Sequence, residues 1–373
     1  VRCDSSTALN PGDRAVVRGK IYPFTARHGG YGRLMTRRGY VGTLYLNRSS
    51  LLLRDTLHRE LSPKHLSLFL HERAVARLDR LALAPDEQAL CNAMTAGDRR
   101  SLSPALRAAY SRSGTSHLLA VSGLHVGIVF LLANLLLWWL PLFRHGHILR
   151  NIAVILLIWL YAATTGFPPS VVRATLMFSV LQFALASSSE YVGMNTLAGV
   201  AFVMLLFHPD YLFDISFQLS FIAVAGIIAW GLPLCRLLRT RRKSIDMLTA
   251  TLAIGFSASA ATAPLISHTF GQISVVGLAL NPVVILLSYV VVGSCTLWLV
   301  IPGTALAPLF SDVAGFAARA QNELIRAAAS LPAAALDIRL TTTQCWSVYG
   351  LFIFATLLLW SAEREKSVSS LPE

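Results

Sequence analysis

The sequence predicts a mainly α protein: a polytopic transmembrane helix bundle preceded by a small, incomplete N-terminal β region outside the membrane. Three observations predict it. The 373 residues are 54% hydrophobic and only 14% charged, with a mean hydropathy of +0.58, a balance more apolar than that of soluble domains. Apolar runs long enough for a bilayer recur from His117 onward; a hydrocarbon core about 30 Å thick needs roughly 20 residues at 1.5 Å rise each. The charge is divided unevenly. Residues 1–116 hold 19 Lys+Arg and 9 Asp+Glu, a net of +10, against 13 and 10 in the remaining 257 residues, a net of +3. Positive charge outside the membrane attracts phosphate, either of nucleic acid or of anionic lipid.

Residues 12–60 read as short strands, RAVVRGKI and then YGRLMTRRGYVGTLYL, separated by Gly-rich and basic turns. The β region is accordingly placed at 1–60 and a helical linker at 61–116. From Ser62 the period becomes helical. Leu66, Phe69, Leu70, Ala74, Leu78 and Leu81 share one face, with Lys64, Arg73, Arg77 and Arg80 opposite, an amphipathic helix lying on protein or on membrane. Two shorter helices follow at about 86–96 and 101–113, split by Gly97-Asp98 and by Ser103-Pro104.

The transmembrane domain is placed at 117–361, with spans at about 117–140, 151–166, 170–187, 193–208, 213–234, 247–268, 273–301 and 346–361. The first half of 304–340 reads as a short or re-entrant segment, and its second half, AARAQNELIRAAASL, as an interfacial helix. Residues 362–373 form a polar tail. Topology follows from basic loops: Arg144 and Arg150 lie after the first span, and Arg236, Arg239, Arg241, Arg242 and Lys243 after the fifth. Four spans separate these loops, so both fall on one side, the cytoplasmic side by the positive-inside rule. The N-terminal β region then lies outside.

The five cysteines show no CxxC or zinc spacing. Cys235, Cys295 and Cys345 fall in or beside apolar spans as small core residues; Cys3 and Cys91 can pair only if their domain faces an oxidising compartment. The chain opens on Val1 and shows no signal peptide, and it reads as a fragment, or as a chain whose upstream part is missing.

Polar residues inside apolar spans carry the functional signal, because each costs free energy unless it meets a partner or lines a cavity. His125 lies about eight residues into the first span, roughly 12 Å deep at 1.5 Å per residue. Asn281, followed by Pro282, lies comparably deep in the seventh. Gln218 lies just below Asp214 in the fifth. Arg173 and His268 sit near the outer ends of the third and sixth. The intended picture is a polar vestibule that opens outward and narrows to apolar walls, made by Ser122, Gly123, His125, Gly127, Arg173, Asp214, Gln218, His268 and Asn281. Structural readings stand beside it. Gly123 and Gly127 form the GxxxG of close helix packing. Ser122 can bond its own helix. Arg173 can snorkel while Asp214 caps or pairs with it. Pro282 can kink its helix, with Asn281 bonding the freed carbonyl.

The segment SGTSHLLAVSGLHVGIV, Ser113 to Val129, resembles the signature of the ComEC family of competence channel proteins. FPPSVVRATLMF (Phe167 to Phe178), NTLAGVAFVMLLFHPDYLFDISFQLSFIAVAGI (Asn195 to Ile227) and TAPLISHTFGQISVVGLALNP (Thr262 to Pro282) continue it in order, and MTAGDRRSL resembles the family's helix-linking segment. The resemblance implies a channel in the cytoplasmic membrane that imports single-stranded DNA during natural transformation. It implies an OB-type domain on the outer face, of which residues 12–60 resemble the later strands. Some members carry a metallo-β-lactamase-like nuclease; no HxHxDH-type motif occurs in this chain. The implied partners are single-stranded DNA, the bilayer, an extracytoplasmic DNA receptor and a cytoplasmic ATP-driven translocase, with a homo-oligomer as a further option. No cofactor or metal is implied.

A sequence-blind binder of single strands needs cations along a groove, interleaved with aromatic faces. Arg14, Arg18, Lys20, Arg33, Arg37 and Arg38 fit, with Tyr22, Phe24, Tyr31 and Tyr40 nearby; an ordinary solvated basic surface is the alternative. Within the pore, small residues, helix N–H groups and neutral donors such as Ser122, His125, Gln218 and Asn281 replace phosphate hydration without holding the strand fast. Arg173 attracts phosphate at the entrance. No GxxxxGK[ST] loop occurs, so no P-loop hydrolysis is expected, and no enzymatic role is assigned. Two rival readings remain: an intramembrane hydrolase with Ser122 as nucleophile, His125 or His268 as base and Asp214 as acid, and a small-solute or lipid-precursor transporter.

Overall fold

A computed structural model describes residues 2–3, 14–24, 32, 35–36, 41–46, 50–55, 63–187, 193–274, 276–301, 305–331 and 334–369. The N-terminal strands are β1 (Arg2–Cys3), β2 (Arg14–Val17), β3 (Ile21–Pro23), β4 (Gly42–Leu46) and β5 (Leu51–Asp55). Among the described residues they make two small sheets, β1-β4-β3 and an antiparallel β2-β5 pair. One expected strand is corrected: Met35 and Thr36 are helical, and Thr36 Oγ1 donates to Gly32 O at 2.9 Å, one helical turn back.

Helix α1 (Pro63–Leu78) is followed by a 3-10 turn at Asp79–Leu81, then by α2 (Pro85–Thr95) and α3 (Pro104–Arg112). Pro85 and Pro104 open the last two, where a missing N–H costs nothing. The face that α1 buries agrees with the expected one at Leu78 and the adjoining Leu81, which are buried, and differs from it at the start, where Leu66 and Phe69 are exposed and Ser67 is buried. The polar anchors decide this. Ser67 Oγ donates to Ala163 O at 2.7 Å and His71 Nδ1 to Thr164 O at 3.0 Å, so α1 is turned to cap another helix end.

The bundle proper comprises α4 (Gly123–Leu136), α5 (Gly146–Thr164), α6 (Pro169–Ser187), α7 (Gly193–Phe207), α8 (Ile215–Gly226), α9 (Leu232–Leu237) and α10 (Lys243–Phe270). A π-turn at Ile227–Gly231 joins α8 to α9. After the two-residue β6 (Ile273–Ser274) come α11 (Val276–Val300), α12 (Ala307–Ser330), β7 (Ala335–Leu336) and α13 (Thr342–Ser369). Among the described residues, five stretches are long and apolar enough to cross a membrane: Gly123–Leu142, Gly146–Thr164, Ile215–Leu237, Ile245–Phe270 and Ala279–Val300. The spans expected at about 170–187 and 193–208 are present as α6 and α7, whose described apolar stretches, Pro169–Ala184 and Gly193–Phe207, are shorter than the other five.

The first span is also corrected. It begins at Gly123, not at His117, because Ser116–Leu119 forms a separate 3-10 turn. His125 is therefore in the first helical turn and not 12 Å deep. The region expected to divide at 304–340 holds one continuous helix, α12, antiparallel to α11. The pairing Ile273↔Leu336 and Ser274↔Ala335 ties the start of α11 to the residues after α12, so the hairpin leaves and rejoins the bundle at one place.

The largest core lies between this hairpin and the N-terminal helices. Leu90, Cys91 and Met94 of α2 and Leu106 and Tyr110 of α3 pack with Val284, Val291 and Cys295 of α11 and Ala314, Ala318 and Ile325 of α12. Cys91 is a free, buried thiol beside Cys295, so the pairing with Cys3 does not form. A buried polar network crosses the same interface. Tyr110 OH donates to Asn322 Oδ1 at 3.1 Å, Asn322 Nδ2 to Asp86 O at 3.2 Å, and Gln321 Nε2 to Tyr110 OH at 3.3 Å. Such a network stabilises only while every member keeps its partner. Tyr110→Phe leaves the buried Asn322 oxygen without its donor. We expect a loss of about 1–2 kcal/mol, read as a lower unfolding midpoint in detergent, with the helix content of the folded protein unchanged.

Candidate functional site

The site is assembled where α4, α6 and α8 meet. Gly166 and Phe167 both hold left-handed backbone, with φ of 83° and 53°. Glycine adopts this freely, whereas a phenylalanine there is strained. The turn reverses the chain so that α6 can start on Pro169, and Ser170 Oγ donates to Val121 O at 3.1 Å. That bond fixes the first turn of α6 beside the entry to α4.

Ser122 is the N-cap of α4, and His125 occupies the position three residues on. The Ser122 backbone N–H donates to His125 Nδ1 at 3.0 Å, and Ser122 Oγ lies 3.0 Å from the same nitrogen. A nitrogen that accepts a backbone N–H carries no proton of its own, so Ser122 Oγ–H donates to it and the ring proton sits on Nε2. His125 stands where a capping box places Glu or Gln. Its ring is fully buried and Nε2 has no hydrogen-bond partner among the described residues. The cap thus consumes one edge of the imidazole and leaves a fixed N–H donor on the other.

Arg173, the fifth residue of α6, is only 7% exposed. Its Nε donates to Ser220 Oγ at 2.7 Å, Nη1 contacts Met177 Sδ at 3.3 Å, and the guanidinium carbon lies 5.8 Å from the centre of the Phe221 ring. A Cβ built on Gly123 would stand 2.9 Å from Arg173 Nη2. Gly123 is therefore the space into which the guanidinium reaches, at the positive end of α4. Gly127 plays the packing part: a Cβ there would meet Phe178 at 3.3 Å. Both glycines of the GxxxG face α6. An arginine joined to a helix N-terminus stabilises negative charge twice over, by its own charge and by the helix dipole.

The remaining expected residues divide. Asp214 is the N-cap of α8, accepting from Ser216 N at 2.8 Å and Phe217 N at 3.2 Å; Gln218 Nε2 donates to Leu212 O at 2.7 Å, closing the preceding 3-10 turn. Both stand on the helix that holds Arg173 through Ser220. His268 Nδ1 donates to Leu340 O at 3.0 Å and so ties α10 to the segment leading into α13. Asn281 Oδ1 is buried without a partner in α11, which continues through Pro282. The hydrolase arrangement is not assembled. The Ser122–His125 bond exists, but no carboxylate orients His125 Nε2, Asp214 is engaged as a cap, and His268 is held elsewhere. Of the basic and aromatic set, Arg18, Lys20 and Tyr22 are exposed, Phe24 is half-buried, and Arg14 starts β2. Arg33, Arg37, Arg38, Tyr31 and Tyr40 lie outside the described residues.

Three groups escape sequence reasoning. Ser220 and Phe221 hold Arg173, and nothing in ISFQLSF singles them out before the packing is known. Tyr161 OH and Thr175 Oγ1 are buried without partners on α5 and α6, in the same helix trio as His125. Gln182 Nε2 donates to Asn151 Oδ1 at 2.6 Å, a buried polar link between α5 and α6.

Residues 94–364 match the protein family described as competence protein. The chain is 32% identical over 204 residues to ComE operon protein 3 of Bacillus subtilis, a match covering 53% of this chain and 24% of that protein. It is 31% identical over 185 residues to an uncharacterized protein of Aquifex aeolicus, covering 50% of this chain and 41% of that protein. The match thus spans about a quarter to two fifths of the length of these relatives. No solved structure matches at a significant level.

Gly123→Leu, too large to be met by a small shift of the flexible Arg173 end, should displace the guanidinium and destabilise the protein by about 1–3 kcal/mol, the usual effect of overpacking. Gly199→Ala, at a helical position with nothing within 4 Å, should hold or raise the unfolding midpoint. Equal midpoints for the two variants would contradict the close approach of Arg173 to α4.

Proposed function

Because the chain belongs to the competence protein family, a family of membrane proteins, we propose that it forms the path by which a single DNA strand crosses the cytoplasmic membrane. The observation that carries this reading is the pairing of a buried arginine with an unspent N–H donor in the first turn of α4. Arg173 reaches over Gly123, and His125 Nε2–H is fixed by its own cap with no acceptor among the described residues. A phosphodiester would offer the His125 Nε2–H an oxygen acceptor, and its negative charge suits a place beside a guanidinium and a helix N-terminus. A neutral histidine donor exchanges one phosphate for the next more readily than a ring of lysines, which would hold the strand.

The orientation follows from the basic loops. Arg144 and Arg150, before and in the first turns of α5, and Arg236 to Lys243, from the end of α9 to the start of α10, lie on the cytoplasmic side. The β strands, the α1–α3 linker and the first turns of α4 and α6 then lie outside, where DNA arrives. Delivery by an extracytoplasmic DNA receptor and traction by a cytoplasmic ATP-driven translocase complete the scheme. Beside the site, Val126, Val129 and Ile158 pack into a buried apolar cluster.

The test is import of labelled DNA into the cytoplasm of competent cells whose own channel is deleted and replaced by the full-length parent of this chain. We expect the wild type to restore import, and His125→Leu and Arg173→Lys each to lower it about tenfold or more at matched membrane abundance, the scale of losing one hydrogen bond to a charged group. Unchanged import in both variants would remove the site from the strand's path. A wild type present in the membrane that restores no import would contradict the DNA reading and favour solute transport.

A further inference from the structure

The turn between α2 and α3 presents a second cationic feature, at the same end of the bundle. Gly97 holds a left-handed backbone with φ of 84°, and a Cβ there would stand 3.2 Å from Val121 Cγ2 and 3.7 Å from Thr165 O. The turn therefore rests on the residue that precedes the Ser122 cap. Arg99 follows two residues later, a reach of at most about 7 Å of chain. Asp98 is buried and takes Arg100 with both oxygens: Arg100 Nε to Oδ1 at 2.9 Å and Nη2 to Oδ2 at 2.9 Å. Burial alone would raise the Asp98 carboxyl, but the Arg100 bonds and charge hold it below its ordinary value. The carboxylate nearest in sequence is thus already engaged.

Arg99 and Arg107 are left beside each other. Arg107 Nη2 donates to the Arg99 carbonyl oxygen, both side chains are exposed, and neither forms an ion pair with a carboxylate among the described residues. Partial burial, and then the charge of Arg107, depress the pKa of Arg99, as two adjacent cations require. An arrangement that sets like charges together without a counter-ion is relieved by an anion between them. Lipid is the poorer candidate. An interfacial helix inserts large apolar side chains, and between Phe69 and Leu131 none is exposed among the described residues; the exposed residues flanking this pair in the chain include Arg100, Ser101, Ala108 and Arg112.

We propose that Arg99 and Arg107 form a phosphate-receiving pair at the mouth of the site, engaging the backbone of an incoming single strand ahead of Arg173. This rests on the reading of the chain as a DNA path and adds the residues that admit the strand. The order of contacts is set by the packing. The turn bearing the pair touches Val121, Val121 O holds the first turn of α6 through Ser170, and Arg173 lies one turn further along α6. The contact is to phosphate and therefore indifferent to base sequence.

The test is binding of a fluorescent oligodeoxythymidylate to the full chain in phosphatidylcholine nanodiscs, across a range of salt. Each neutralised phosphate of a single strand contributes about 0.7 to the slope of log K against log salt. R99Q/R107Q should therefore flatten the slope by about 1.4, whereas R99K/R107K should keep it and so exclude misfolding as the cause. Wild-type binding with an unchanged slope in R99Q/R107Q overturns the pair and leaves the DNA path standing. No wild-type binding overturns both. A difference seen only when phosphatidylglycerol is added to the discs assigns the pair to lipid headgroups and overturns the proposal.

Discussion

A buried guanidinium organises this bundle. Arginine in an apolar interior is costly unless its donors are met, and Arg173 meets that demand by drawing three helices together. Its Nε needs Ser220, so α8 must lie against α6. Its second amino group needs room beside Gly123, so α4 must start where it does. The face of Phe221 covers the cation from one side. Each requirement selects a residue type: a small hydroxyl, a residue without Cβ, an aromatic ring. The cap at Ser122 and the tautomer of His125 follow from the starting point of α4, and the donor on Nε2 follows from the cap. The chemistry of the site is thus a consequence of how one charge is accommodated.

The frame around the site is unequal in firmness. The α11–α12 hairpin is clamped on α2 and α3 by the largest core and by the Tyr110–Asn322–Gln321 network. By contrast, the cluster joining α7 and α8 rests on Val200, Met204 and Phe217, and α8 is interrupted by a π-turn before α9. Fewer buried contacts mean lower local stability. The α2–α3 turn and the first turn of α4 are therefore fixed to the firm half, while Arg173's partners Ser220 and Phe221 belong to the looser one. On the proposed reading as a DNA path, a strand passing between these halves would require the second to yield while the first stays in place.

Much of this was legible in the sequence, for identifiable reasons. Apolar length predicts helices independently of packing, and the helices expected at about 86–96 and 101–113 are present as α2 and α3, the second starting later, at Pro104, where the missing N–H costs nothing. Asp214, assigned to the vestibule with capping or pairing with Arg173 as the structural alternative, does cap α8. What failed to show depended on tertiary contact. Leu66 and Phe69 share the period of Leu78, yet Ser67 and His71 bond to the end of α5 and rotate the helix away from its most apolar face. His117 continues an apolar run, but Ser122 stops the helix from extending back to it, because a serine that caps cannot also continue. Arg99 and Arg107 look like any basic pair until Asp98 is seen to be taken by Arg100. Ser220 is silent in sequence because a serine among apolar residues more often bonds its own helix.

The central claim is that the turn starting α4 and the first two turns of α6 touch the backbone of a strand in transit. The most direct measurement is cross-linking of a strand stalled during import, with a photoreactive diazirine on its phosphates, followed by sequencing of the attached peptides. The account expects adducts within residues 122–127 and 170–177, and none on outward-facing positions such as Leu131 and Phe183, which are 58% and 69% exposed. Adducts confined to other helices, with these two segments unmarked while import proceeds, would contradict it.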